Sequence, residues 1–383
     1  VYTPVVIAPP PLPKRALITK QLATGFALTD LMLPLGHGQR ELLAGDRKSG
    51  KSAFVRRLAA TQARNGTKVV YALIGKKVAE LKETYNYLQQ SGVINDTVII
   101  ATSARDAVST IALTPFVAMT VAEALKDQGH DVLVILDQLS THAEFYRELS
   151  LLARRFPGRD SYPGDIFYVH AQLLERAGCF IHPTDPNKSV SITCLPIART
   201  TNSDVTDYIT SNLISITDGH LLFETKLYSQ GQQPAINTAL SVTRVGKQTQ
   251  TPLLRDINHV LTSFMSQYKK ARGLTHLASE VSGETQDMLK KGSVILDFFS
   301  EIDEVNLPSE VQQIMVGMIW SGWFNQSHRA ELHASRFKLS SAYQNDQNIA
   351  QKLDSIVANN ERFDTFVSAV QDHKQLLLTT CQT

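Results

Sequence analysis

A short segment bounded by two glycines has the residue types and spacing of a phosphate-binding loop. The second glycine is followed by a lysine and a serine, as in the pattern G-x-x-x-x-G-K-[ST]. In such a loop the backbone NH groups surround a polyphosphate, the lysine reaches the β- and γ-phosphates, and the serine hydroxyl ligates Mg²⁺. The pattern therefore predicts a nucleotide site. Its residues are Gly45, Asp46, Arg47, Lys48, Ser49, Gly50, Lys51 and Ser52.

The elements expected on either side of the loop support this interpretation. Residues 41–44 form an apolar segment that predicts a strand, and residues 53–64 predict a helix that ends before Gly66. A glycine-rich turn that happens to precede a helix is the alternative. We favour the nucleotide site because a strand before the loop and a helix after it are the context that the motif requires.

A second apolar segment predicts the residue that would hold a metal ion beside the loop. Residues 131–137 have the pattern of a strand whose residues between Asp131 and Asp137 are all apolar. In a parallel sheet buried on both faces, this carboxylate emerges at the carboxyl edge, where it holds a metal-bound water. Such a run alone is more typical of a plain core strand. Together with the loop it predicts Ser52 and Asp137 as the metal-binding residues.

Hydrolysis requires a further group, a carboxylate that orients the attacking water. We expect it at the end of the strand that follows the loop helix, residues 69–77, where the chain has Lys76 and Lys77 instead. Because a cation does not accept a proton from water, Lys76 at this position predicts nucleotide binding without hydrolysis. Composition alone favours the alternative, a strand end with two solvated lysines.

Composition narrows the class of protein. The chain has 383 residues, 43% of them hydrophobic and 19% charged, which is typical of globular proteins with two or three domains. A net charge of +2 argues against nucleic acid as the main partner. We expect no apolar run of the ~18 residues that a membrane span needs and no signal peptide, so any membrane association would be indirect. The three cysteines are too scattered for a disulfide framework or a metal cluster.

The order of predicted elements indicates an α/β fold with a doubly wound, largely parallel sheet, followed by an all-α region. We expect a Pro-rich linker at residues 1–18, which would follow an absent upstream domain, a nucleotide-binding domain at 19–252 and a helical domain at 253–383. The predicted strands are residues 68–74, 97–101, 131–137, 189–195 and 213–216, and the predicted C-terminal helices are 257–272, 282–302, 309–323 and 347–370.

Many ordered segments support a comparison with a known family, and the likeness extends from the Pro-rich segment to about Phe324. The chain resembles the alpha subunit of F-type ATP synthases, with the beta subunit, type III secretion ATPases and Rho-like helicases as more distant relatives. Besides the loop, the resemblance rests on residues 34–42, 137–140, 146–152, 157–168, 173–177, 214–219, 234–237 and 240–246.

The resemblance implies a RecA-like P-loop core and a place in a rotary assembly. In the family, alpha and beta subunits alternate in a hetero-hexamer around a central gamma shaft, held by a peripheral stalk. Alpha subunits bind ATP or ADP with Mg²⁺ without turning it over, and the complex couples ATP synthesis or hydrolysis to proton transport. The chain would then meet the membrane only through the complex, at the cytoplasmic face in bacteria or the inner side in mitochondria and plastids, with no role for nucleic acid.

Two positions acquire roles from this resemblance. Gly75-Lys76-Lys77 stands where beta subunits have Gly-Glu-Arg and alpha subunits usually have Gly-Gln-Lys, so Lys76 departs from both patterns and favours a non-catalytic site. Arg244 matches the arginine finger that reaches the nucleotide of a neighbouring beta subunit and stabilises charge in the transition state. A structural salt bridge at a strand end is the alternative for Arg244.

Other positions depart from the alpha pattern. Lys48 replaces a glutamine of the loop, and Gln138 replaces an aspartate. Gln233 replaces an arginine before Pro234, and the resemblance assigns both Gln233 and Pro234 to nucleotide binding. Near residues 296–303, where the family has glutamines that contact the base, this chain has acidic residues. The family's N-terminal β-barrel is expected before the first residue, so the chain is interpreted as a fragment, a processed product or a short form.

Two alternatives to the alpha-type subunit remain. A self-sufficient hexameric ATPase of the secretion-motor or Rho-like type would need a carboxylate near the γ-phosphate. Glu80 and Glu144 are the nearest in sequence, and neither lies at the expected strand end. A chain that no longer binds nucleotide is the other alternative, which the altered adenine side suggests and the intact Lys51 and Ser52 disfavour.

Overall fold

The computed structural model describes residues 3–275, 283–300, 306–324 and 329–382. The chain divides into two compact units. The first unit comprises Val1–Leu22, Leu35–Gln230 and Ala235–Thr249, and the second comprises Ala23–Pro34, Gly231–Pro234 and Gln250–Thr383.

The first unit is built on an eight-stranded sheet of order β10-β9-β3-β8-β6-β4-β5, with β7 paired to β8. All neighbouring pairs are parallel except β10 with β9 and β7 with β8, which are antiparallel. A separate pair, β1 with β2, is antiparallel. The strands are β1 Gln21–Leu22, β2 Leu35–Gly36, β3 Glu41–Gly45, β4 Lys68–Lys76, β5 Thr97–Ser103, β6 Val132–Asp137, β7 Gly178–Ile181, β8 Ser189–Arg199, β9 Gly219–Phe223 and β10 Val242–Thr243.

Helices cover the sheet of the first unit and make up most of the second. Those of the first unit are α2 Lys51–Arg64, α3 Val78–Gln90, α4 Val108–Asp127, α5 Leu139–Leu152, α6 Ile166–Leu174, α7 Tyr208–Ile216 and α8 Thr225–Ser229. Those of the second are α1 Ala27–Met32, α9 Pro252–Thr275, α10 Gly283–Phe299, α11 Ser309–Trp320, α12 Arg329–Asn345, α13 Gln347–Ala358, α14 Phe363–Asp372 and α15 Lys374–Gln382.

The core of the first unit lies between the central strands and the helices on them. Every residue of β3 and β6 is buried, as expected for parallel strands covered on both faces. Alternate residues of β4 such as Val70 and Ala72 pack in one cluster with Ile111 and Met119 of α4. This arrangement confirms the predicted fold class, an α/β core with a mainly parallel sheet followed by helices.

Two predicted elements are wrong. Residues 213–216, predicted as a strand, are the last turn of helix α7, where Ile209 and Leu213 are buried one helical turn apart. A four-residue apolar run does not distinguish a strand from a buried helix. Residues 347–370, predicted as one helix, form α13 and α14, which are separated at residues 359–362.

Helix α4 corrects the expectation about apolar length. It has 20 residues with a mean hydropathy of 1.6, which is long and apolar enough to cross a membrane by length and composition. Half of its most apolar stretch is buried within the first unit. The core helix of a globular unit has this same composition, so the helix is weak evidence for a span.

The Pro-rich N-terminal segment packs on the first unit. Arg176 donates to the carbonyl of Val5 at 2.8 Å, and Arg15 donates to the carbonyl of Ala177 at 3.0 Å. A short 3₁₀ helix, Leu12–Lys14, lies within this segment.

Within the second unit, every residue of α1 is buried, and Val311 through Ile319 of α11 are buried as well. Helix α10 approaches α9 closely at Gly292, where a Cβ atom would lie 2.1 Å from the ring of Tyr268. Glycine is therefore required for this contact.

Candidate functional site

The predicted phosphate loop connects the end of β3 to the start of α2, as the motif requires. Both framing glycines have positive φ angles, +155° at Gly45 and +86° at Gly50. A Cβ atom at Gly45 would lie 2.4 Å from the carbonyl oxygen of Phe223, on the neighbouring strand β9. The two glycines thus give the loop a path that a larger residue would block or strain.

The loop forms one wall of a cavity of about 560 Å³ that is rich in positive charge. Its lining carries six cationic side chains and one carboxylate, so the cavity suits an anionic ligand. The lining residues are Arg47, Lys48, Ser49, Gly50, Lys51, Ser52, Ala53, Arg56, Lys76, Lys77, Glu80, Gln138 and Tyr228.

Lys51 is buried and bound to the loop itself. Its Nζ donates to the carbonyl oxygens of Gly45 at 2.5 Å and Asp46 at 2.6 Å, and it contacts the Ser49 hydroxyl at 3.1 Å. Burial lowers the pKa of Lys51 to about 8. The side chain is therefore an ammonium at neutral pH that is held by neutral acceptors, in the wall of the cavity.

Asp46 fastens the loop to the turn that follows β8. Its carboxylate accepts from the Thr200 hydroxyl at 2.6 Å and from the backbone NH of Ser203 at 2.9 Å. Ser203 has a positive φ of +57°, a left-handed backbone conformation that non-glycine residues rarely adopt. The structure thus gives Asp46 a positioning contact, and its predicted contact with a nucleotide stays a prediction.

Lys76 lies against Asp137 at the carboxyl edge of the sheet. Its Nζ is 2.9 Å from Oδ1 of Asp137, and the two side chains are only 8% and 5% exposed. Gly75, with φ +57°, turns the strand end, and a Cβ there would lie 2.8 Å from the Phe145 ring. The alternative of a solvated strand end is therefore excluded for Lys76, whereas Lys77 is exposed.

This contact decides how well the predicted metal ligands suit Mg²⁺. Ser52 is exposed at the cavity, but Oδ1 of Asp137 is taken by Lys76, and Oδ2 accepts a long hydrogen bond of 3.5 Å from Tyr71. In the described parts of the chain, no cluster of three or more His, Cys, Asp or Glu residues could hold a metal ion. As arranged, the residues do not fit Mg²⁺, and the metal roles of Ser52 and Asp137 stay a prediction.

The two candidate carboxylates occupy different places. Glu80 of α3 lines the loop cavity, with its Oε2 atom 3.3 Å from Nζ of Lys76. Glu144 accepts from Arg199 at 3.2 Å and lines a separate cavity of about 400 Å³. Only Glu80 is therefore brought to the loop cavity, and it is paired there with an ammonium.

Two residues that line the cavity, Arg56 and Tyr228, were not predicted from the sequence. Arg56 follows Ser52 by one helical turn, so the i, i+4 spacing of α2 was an available signal, and its guanidinium pairs with Glu83 at 2.7 Å. Tyr228 comes from α8, far along the chain, and its ring would be 3.0 Å from a Cβ at Gly50. No local pattern marks Tyr228.

Arg244 lies at the opposite edge of the sheet from the loop. It follows β10, whose Thr243 is paired with Gly219 of β9, and Gly219 is paired with Glu41 at the start of β3. The loop begins at the other end of β3, about 13 Å away along the strand. The Arg244 side chain is exposed, and within the described residues no ion pair of it is found. Arg244 thus lies at the amino edge of the sheet, whereas the loop of its own chain lies at the carboxyl edge.

The remaining predicted positions lie elsewhere. Gln233 and Pro234 belong to the second unit and are joined by a cis peptide bond. Their contact with a nucleotide stays a prediction. Glu301 and Asp303 are two of the acidic residues from which an altered adenine-binding side was predicted. Both lie outside the described residues.

The chain is similar in sequence to proteins of a known family. Residues 25–243 match the model of the ATP synthase alpha/beta family, nucleotide-binding domain. ATP synthase subunit alpha 1 of Listeria monocytogenes serotype 4b (strain F2365) is 38% identical over 78% of this chain and 59% of its own length. ATP synthase subunit alpha of Aquifex aeolicus (strain VF5) is 37% identical over 82% of this chain and 62% of its own. The chain thus spans about three fifths of the length of these curated relatives.

Proposed function

Because the chain belongs to the ATP synthase alpha/beta family, we propose that it is a non-catalytic, nucleotide-binding alpha-type subunit of a rotary ATP synthase. The observation that carries the non-catalytic part is the buried Lys76–Asp137 contact. An ammonium occupies the strand end where a water-orienting carboxylate would be needed for hydrolysis.

The proposed ligand is ATP or ADP, bound by the loop. Backbone NH groups of the loop and the N-terminus of α2 offer donors to the phosphates, and Lys51 supplies a positive charge within the same wall. In phosphate-binding loops that hold Mg²⁺, the ion neutralises part of the phosphate charge. No step of the proposal depends on it, since Asp137 is paired with Lys76.

The proposed assembly is a hetero-hexamer in which this chain alternates with a catalytic beta subunit around a gamma shaft, with a peripheral stalk. The proposal rests on the similarity to ATP synthase alpha subunits and on the exposed Arg244, which we assign as an arginine finger for the neighbouring site. Residues 19–252 would form the nucleotide-binding domain and 253–383 the helical domain. The complex would couple ATP synthesis or hydrolysis to proton transport at a membrane that this chain does not itself enter.

We expect the purified chain to bind ATP without hydrolysing it, and Lys51→Ala to weaken binding by about 10- to 100-fold. This loss corresponds to one charge-assisted contact with phosphate. ATP binding by calorimetry and steady-state hydrolysis, each for both proteins, check the expectation. Lys82→Ala, which removes an exposed lysine of α3 outside the cavity, is the matched control and should bind normally.

A hydrolytic activity that disappears in Lys51→Ala would contradict this proposal. It would instead favour the self-sufficient hexameric ATPase, for which the position of Glu80 in the cavity is the supporting observation. Absence of any ATP binding would favour the other alternative, a chain that no longer binds nucleotide.

ATP binding should weaken as the pH rises above about 8. Burial lowers the pKa of Lys51 to about 8, so the unliganded protein loses this positive charge as the pH rises through that value. The phosphates favour the charged form, and binding above that pH therefore takes up a proton, with a loss of at most tenfold in affinity per pH unit. The terminal phosphate of ATP ionises near pH 6, well below this range. Titrations in several buffers between about pH 7 and 9.5 test this, and a flat profile, or the same slope in Lys51→Ala, would contradict it.

A further inference from the structure

The cationic side chains of the loop cavity fall into two groups according to their partners. Arg56 is paired with Glu83, and Lys76 is paired with Asp137 and Glu80. The other four make no ion pair with a carboxylate in the described part of the chain. These four are Arg47, Lys48, Lys51 and Lys77.

Four unpaired positive charges match the charge of a nucleoside triphosphate. Each of its phosphates carries at least one negative charge near neutral pH, and the terminal phosphate carries close to two. These four side chains thus offer the phosphates as many positive charges as the ligand carries negative ones, without a metal ion.

The ammonium of Lys76 also lies between the two carboxylates Asp137 and Glu80. It lies 2.9 Å from Asp137 Oδ1 and 3.3 Å from Glu80 Oε2, with its side chain 8% exposed. A cation that used Asp137 through a bound water would lie within a few ångströms of this ammonium. Two positive centres so close repel each other strongly where water is scarce. Asp137 and Glu80 therefore share this one ammonium.

We propose that this site binds its nucleoside di- or triphosphate in the metal-free form, with the Lys76 ammonium fixed on Asp137 in the place of a divalent cation. The inference rests on the proposed function, since it specifies the form of the ligand at the same loop. It also explains why a lysine at this strand end is compatible with an intact loop: the charge that Mg²⁺ would bring is built into the chain.

Direct ATP binding to the full chain, once in excess EDTA and once in excess Mg²⁺, tests the proposal. The natural chain should bind ATP in EDTA at least as tightly as in Mg²⁺. Tighter binding in Mg²⁺ than in EDTA would overturn the inference and leave the proposed function intact. Absence of binding in both conditions would overturn the proposed function as well. This comparison requires no variant to fold.

Two variants show whether Lys76 is the cause. Lys76→Gln opens Asp137 to a metal ion, and we expect it to bind ATP about tenfold more tightly in Mg²⁺ than in EDTA. Lys76→Arg keeps a cation beside Asp137 and should remain independent of Mg²⁺. Mn²⁺, used as a probe and followed by electron paramagnetic resonance, should become bound to Lys76→Gln with ATP and not to Lys76→Arg. Equal Mg²⁺ dependence in both variants would contradict the role of the ammonium.

Discussion

Replacement of Arg244 with alanine is expected to lower ATP hydrolysis by a ring assembled from this chain and a beta-type partner by about 10³-fold. The Arg244 side chain is exposed at the amino edge of the sheet, whereas the loop of its own chain lies at the carboxyl edge. In the proposed ring, this position makes the guanidinium available to a neighbouring subunit and keeps it from the loop of its own chain. The measurement is kcat of the reconstituted ring.

Two controls separate this role from a structural one. Lys247→Ala removes another exposed cation, three residues further along, and should leave kcat unchanged. Arg244→Lys keeps the charge but not the planar donor pair, so it should recover only part of the rate. ATP binding by the isolated Arg244→Ala chain should be normal. A ring that assembles with Arg244→Ala and hydrolyses at the natural rate would refute the finger assignment.

The loop and the fold class could be predicted because their signals are local. The eight loop residues are consecutive, and the strand and helix that flank them have patterns of their own. The pairing of Lys76 with Asp137 could not be predicted in the same way. It depends on β4 and β6 being neighbours in a register that places Leu73 beside Asp137. Two separate strand patterns carry no information about that register.

The features that were predicted wrongly or not at all likewise depend on contacts between residues that are distant in the sequence or on segments too short to show a pattern. Residues 213–216 are too few to show whether their apolar side chains repeat every two residues or once per helical turn. Asp46 belongs to the loop motif, yet its carboxylate turns to Thr200 and Ser203, which lie more than 150 positions away in the sequence. A motif therefore predicts where the loop is, whereas the direction of a side chain within it depends on distant neighbours.

Replacement of Lys76 with methionine is expected to lower the free energy of unfolding of the first unit by about 3 kcal/mol. The loss arises because Asp137, 5% exposed, would keep a buried carboxylate without its ammonium partner. Lys77→Met, at the exposed neighbouring position, is the matched control and should change stability by no more than about 0.5 kcal/mol. Both tryptophans, Trp320 and Trp323, lie in the second unit, so amide hydrogen exchange in β4 and β6 is the appropriate measurement.

The double variant Lys76→Met with Asp137→Leu distinguishes an ion pair from a packing effect. If the single substitution is costly because a charge is left alone, removal of both charges should restore most of the lost stability, since apolar side chains of similar volume often replace a buried pair without loss. If Lys76 mainly fills space beside Gly75, the two substitutions should instead add. Recovery would establish that Asp137 is ionised and held by Lys76 in the unliganded chain. An additive loss would leave Asp137 open to other partners, Mg²⁺ among them, and would remove the structural basis for metal-free binding.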